Sequence, residues 1–154
     1  MKRKNDELAV FLFGWSRGGV IAVEIERLLE NPGCLGVNEC EGKNKFEEVG
    51  VQWIGLFDAV NQTNHKGWSN TTLPQNIYKV SHAIKSTTQW LFPTMKYKGG
   101  KVKNKIFYKE DGNRTTHADI GLGWKYFWRD KEYNSREPVE WMLFEAIDAG
   151  NFTW

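Results

Sequence analysis

Residues 8–20, LAVFLFGWSRGGV, decide how this chain is read. An apolar run from Leu8 to Phe13 leads straight into Gly14-Trp15-Ser16-Arg17-Gly18-Gly19. From Gly18 the segment GGVIAVEIERLLE changes to helical spacing, with Val20, Val23, Leu28 and Leu29 available for one face. A buried strand that meets a helix within so few residues needs a tight turn. Gly14 and Gly18, two positions either side of Ser16, remove Cβ atoms that would collide in it. Gly19 gives the helix a second small residue where it passes the sheet. Such a turn lifts Ser16 above the carboxyl ends of the strands, the position of a serine nucleophile. It also puts the backbone N–H of Arg17 at the positive end of the helix, where it can meet a developing oxyanion. A dinucleotide-binding loop fits less well. The Gly-x-Gly-x-x-Gly spacing is absent, and Trp15 and Arg17 would crowd a pyrophosphate.

A serine nucleophile needs a base, and the base needs an orienting acid. Residues 49–57, VGVQWIGLF, form a largely apolar run that suits a strand buried on both faces, and Asp58 ends it. Asp58 is therefore the candidate acid, in the chain order serine, acid, histidine. Three histidines compete for the base. His65 lies in the polar stretch 61–72, which reads as a surface loop. His82 falls within a helix expected from Pro74 through Ile77, Val80, Ala83 and Ile84, where packing or a surface hydrogen bond explains it. His117 follows a third candidate strand, KIFY at 105–108, and the turn-like EDGN, and is the candidate base. Asp119, two residues on, is a rival acid or a group that shapes the His117 loop. Pro138 and Gly150 bracket a closing helix, VEWMLFEAIDA. The alternation of strands and helices predicts an α/β layer architecture, a parallel sheet with flanking helices. Three strands make a thin sheet, so an extension or a second subunit is expected to complete it.

Composition narrows the classes further. A chain of 154 residues with 40% apolar side chains, eight Trp and nine Phe can build one core. Its net charge of +2 asks for no polyanionic partner, and no nucleic acid is expected. Apolar runs fall far short of the roughly 20 residues that cross a bilayer. The start, MKRKNDELAV, does not read as a secretory signal, so a cytoplasmic location is expected. Cys34 and Cys40 lack further metal-type ligands nearby and read as a thiol pair. The proposed chemistry requires no metal or organic cofactor. Between Lys79 and Lys109 stand eight lysines and no acid, interleaved with aromatics such as Trp90, Phe92 and Tyr108. They fit either a peripheral contact with anionic lipid or a solvated face balanced by the acidic carboxyl-terminal third.

With these residues in hand, the chain resembles an uncharacterised α/β-hydrolase domain family that includes the catalytic domains of bacterial type VI secretion phospholipase effectors. The resemblance rests on GWSRGG at 14–19, FDAV at 57–60 and HADIGLG at 117–123. SHA at 81–83 ahead of LFP at 91–93, and WMLFEAIDAG at 141–150, add to it in the same order. It implies a triad of Ser16, Asp58 and His117 and a lipid or phospholipid ester as substrate. Ala59 and Leu122 depart from the family's usual Thr and Gly. Family members also carry strands before the nucleophile strand, with a loop that gives a second oxyanion N–H. The expectation is one α/β-hydrolase-like domain over 1–154 that lacks those strands, as a minimal relative completed by homodimerisation or as the carboxyl-terminal portion of a longer domain. The alternative function is that of a noncatalytic, hydrolase-derived interaction domain.

Overall fold

The computed structural model describes residues 9–30, 50–61, 71–73, 77–88, 93–99, 101–109, 112–121 and 136–150. Numbered in chain order, the elements are β1 (Val10–Trp15), α1 (Arg17–Glu30), β2 (Val51–Phe57), β3 (Val80–Lys85), β4 (Val102–Phe107), α2 (His117–Ile120) and α3 (Arg136–Gly150). The four strands form one sheet in the order β1-β2-β3-β4, and each neighbouring pair is parallel. This is an α/β arrangement, as the alternation of elements leads one to expect.

Alternation along each strand divides the core between two faces. On one face Ile54 and Leu56 of β2 and Val80 of β3 pack with Val20, Ala22 and Val23 of α1. On the other, Trp53, Ala83 and Phe107 pack with Met142 and Ala149 of α3 and with Ile120 of α2. An irregularity in the β1–β2 register, where Val10 pairs with Val51 but Phe11 with Trp53, turns Gln52 toward α3. Its side-chain amide then donates to the Ala149 carbonyl near the end of that helix. A buried polar strap fixes α3 further: Trp53 Nε1 donates to Ser81 Oγ at 3.0 Å, and Ser81 Oγ donates to Glu145 at 3.3 Å. Lys79, 2.7 Å from Glu145, and Lys103 pair with the same carboxylate.

Two readings of the sequence change here. Residues 80–85 are not helical; VSHAIK is a strand between β2 and β4. Apolar runs this short do not separate helix from strand by period alone, and here burial on both faces decides. His82 is accordingly a strand residue. The last strand also begins earlier than KIFY, at Val102; Lys103 and Lys105 alternate onto the same face as Phe107 and pair with Glu145 and Glu137 of α3. Within α1, Val20 and Val23 face the core, whereas Leu28 is exposed together with Ile21 and Ile25. Glu26 takes a buried place instead. Among the described residues β1 is an edge strand, with Phe13 74% exposed. No described helix is long and apolar enough to cross a membrane. Cys34, Cys40, His65, Pro74 and Leu122 lie outside the described residues.

Candidate functional site

Because all four strands run the same way, their carboxyl ends share one edge of the sheet, where open α/β sheets place their ligands. Ser16 follows the last residue of β1, Asp58 the last of β2, Lys85 ends β3, and His117 lies beyond β4. Parallel register thus does what the sequence cannot show directly: it collects four segments at one rim.

Ser16 occupies the left-handed backbone region, with φ 58°. A non-glycine residue there costs on the order of 1–3 kcal/mol and needs surrounding structure to hold it. That support is visible. Ser16 N donates to the Phe57 carbonyl at 3.0 Å, and its own carbonyl accepts from Gly19 N at 3.1 Å and Val60 N at 3.2 Å. A Cβ on Gly14 would collide with the Gly18 carbonyl, and one on Gly19 would come within 2.8 Å of the Ala59 Cβ. Gly18 is different from the expectation: a Cβ there would meet nothing within 4 Å. The tight approach is made by its carbonyl, so the crowding belongs to Gly14. Arg17 opens α1, with its side chain exposed.

Asp58 is also left-handed, with φ 41°, and fully buried. Its N–H donates to the Ala83 carbonyl at 2.7 Å, while Ala59 N donates to His82 Nε2 at 3.2 Å and the Ala59 carbonyl accepts from Met95 N at 2.7 Å. The neighbouring strand β3 therefore pins the turn that carries the acid. The carboxylate is saturated with donors. Oδ2 lies 2.6 Å from His117 Nδ1 and 2.6 Å from Lys85 Nζ, and Oδ1 accepts from Thr94 Oγ1 at 2.6 Å. Burial raises the Asp58 carboxyl, but the bonds from His117, Lys85 and Thr94, with the Lys85 charge, outweigh it and leave Asp58 below the ordinary carboxylate value. An ionised carboxylate only accepts, so Nδ1 of His117 carries the shared proton.

His117 begins α2, and its position is set by Thr115 and Thr116. Thr115 Oγ1 donates to the Phe107 carbonyl at 2.6 Å, and Thr115 N donates to Ser86 Oγ at 2.7 Å, tying the segment to the ends of β4 and β3. Thr116 caps the short helix in a reciprocal box with Asp119. Asp119 Oδ2 accepts from Thr116 N at 2.7 Å and from its hydroxyl at 2.8 Å, so this carboxylate shapes the loop while Asp58 holds the ring. Trp15 lies stacked against the other side of the site, its ring 5.2 Å from that of His117. A Cβ on Gly121 would overlap this indole.

The structure therefore brings Asp58 and His117 into contact and places Ser16 directly after β1, the strand paired with the one that Asp58 follows. His82 does not join that contact; it is buried, and burial pushes its ring down to about 4. Sequence reasoning passed over Lys85 and Thr94. Lys85 becomes conspicuous only once VSHAIK is a strand that ends at the shared rim, and Thr94 carries no sequence signal. The lysine-rich segment is also less free than its composition suggests. Lys79, Lys85, Lys103 and Lys105 pair with Glu145, Asp58, Glu145 and Glu137, and Lys109 lies 3.9 Å from Asp119.

No protein-family model, curated protein or solved structure matches this chain, so the family resemblance stands on its motifs alone.

Proposed function

We propose that this chain is a serine hydrolase of the α/β-hydrolase type that cleaves carboxyl esters through an acyl-enzyme. The observation that carries the reading is the 2.6 Å contact of Asp58 Oδ2 with His117 Nδ1, at the sheet rim where Ser16 sits in its left-handed turn. Asp58 fixes the tautomer in which Nε2 can take a proton. His117 removes the Ser16 hydroxyl proton as the oxygen attacks the ester carbonyl. The carbonyl oxygen becomes an oxyanion facing the Arg17 N–H and the positive end of α1. Collapse breaks the ester bond, and His117 returns its proton to the departing alcohol. Water then attacks the acyl-serine by the same route and releases the acid.

Substrate choice stays at the level of carboxyl esters, with lipid and phospholipid esters included through the family resemblance. The test is labelling by a fluorophosphonate probe, which forms a covalent bond only to an activated serine. Labelling of the folded chain that disappears in Ser16→Ala supports the reading; a folded chain left unlabelled removes it. A panel of short-chain, long-chain and phospholipid esters then sorts the substrates.

A further inference from the structure

Lys85 is nearly sealed from solvent, with its side chain 2% exposed against a fully buried Asp58. A pair needed only to neutralise a buried carboxylate would be served by a cation on either oxygen. Here the ammonium and the imidazole bond the same atom, Asp58 Oδ2, each at 2.6 Å. The two groups are consequently no more than about 5 Å apart, well inside the range over which charges perturb one another. Lys85 Nζ also donates to Thr94 Oγ1 at 2.7 Å, and that hydroxyl donates to Asp58 Oδ1 at 2.6 Å. Ammonium, hydroxyl and carboxylate close a ring around a residue whose own backbone is strained.

We propose that Lys85 is the positioning residue of the acid: its ammonium, braced by Thr94, holds Asp58 in line with His117 and offsets part of the carboxylate's pull on the imidazole proton. The inference rests on the hydrolase reading for its catalytic meaning, though the cradle itself can be tested without catalysis. A lone buried carboxylate would bind an imidazolium strongly and keep the ring protonated, which disables a general base at neutral pH. A cation on the shared oxygen weakens that attraction while leaving the orienting hydrogen bond in place. Other charged or titratable groups face the site without bonding this carboxylate. His82, from β3, accepts the Ala59 N–H, and Asp119, from α2, is held by Thr116 and lies 3.9 Å from Lys109.

The test is an NMR titration of the histidine rings in the whole chain, in wild type, Lys85→Met and Lys85→Arg. The His117 signal is assigned with His117→Gln. In Lys85→Met the His117 midpoint moves to higher pH, and in Lys85→Arg it returns toward wild type. The acid limb of kcat/KM for an ester substrate follows the same shift. A His117 midpoint that is unmoved in Lys85→Met overturns the proposal, since a merely structural lysine would alter stability alone. Should Lys85→Met not fold, Thr94→Val opens the same ring, and the midpoint rises in the same direction by a smaller step; an unmoved midpoint there overturns the proposal equally. If the midpoint moves while the fluorophosphonate probe labels neither protein, the cradle stands and the hydrolase reading falls.

Discussion

The indole of Trp15 stacks on the imidazole of His117, with ring centroids 5.2 Å apart and planes 25° from parallel. Trp15 Nε1 also donates to the His117 carbonyl over 3.4 Å. The residue before the candidate nucleophile thus rests on the candidate base, which couples the turn at β1 to the segment after β4. An aromatic face favours a cationic ring over a neutral one, so the contact strengthens when the imidazolium forms.

Trp15→Leu should therefore slow ester turnover by roughly threefold to tenfold, corresponding to about 0.5–1.5 kcal/mol of lost ring interaction. The comparison to make is kcat/KM at neutral pH. Equal rates in the two proteins would show that the stack contributes nothing in the transition state.

Gly121→Ala and Gly18→Ala should behave oppositely. At Gly121 a Cβ overlaps the Trp15 indole, and the displaced ring should cost about 1–3 kcal/mol of stability. At Gly18 a Cβ meets nothing within 4 Å, and in a helix alanine should be neutral or stabilising by up to ~1 kcal/mol. Urea denaturation of both variants checks the pair.

His82 makes stability depend on pH. Its ordinary value is 6.5, and burial, against the pull of the Asp58 charge, brings it to about 4 in the folded chain. Between those values the unfolded chain binds a proton that the folded chain refuses, so stability falls as pH drops through this window. The loss should reach about 3 kcal/mol by pH 4. His82→Gln keeps a side-chain acceptor for Ala59 N–H and should flatten this part of the curve. Asp58 and Glu145, both held below the usual carboxylate range, give up their contributions only at lower pH, below about 4. Urea midpoints at pH 7, 5.5, 4 and 3 separate the two regimes.

Asp58→Asn should lower kcat/KM by about three to four orders of magnitude, because an amide no longer enforces the working tautomer of His117. It also strands the buried Lys85 ammonium, at a cost of about 3–5 kcal/mol. Adding Lys85→Met should restore much of the stability without restoring the rate. Measuring denaturation and turnover on the single and double variants distinguishes the acid's two roles.

The sequence by itself determined the features that depend on neighbours along the chain. The apolar strand running into Gly-Trp-Ser-Arg-Gly specified the turn at Ser16, and VGVQWIGLF specified a strand buried on both faces that ends at Asp58. Thr116 and Asp119 contain the capping box, although the residues read more readily as a turn-prone loop. Only the tertiary structure decided the state of residues 80–85, where a short apolar run fits either period and burial between β2 and β4 selects the strand. With that strand in place, Lys85 reaches the rim and Asp58 acquires its cationic partner. The contact of Asp58 with His117 joins residues 59 positions apart. Local propensity carries no information on such a contact; parallel register does, because it aligns the carboxyl ends of strands that are remote in sequence.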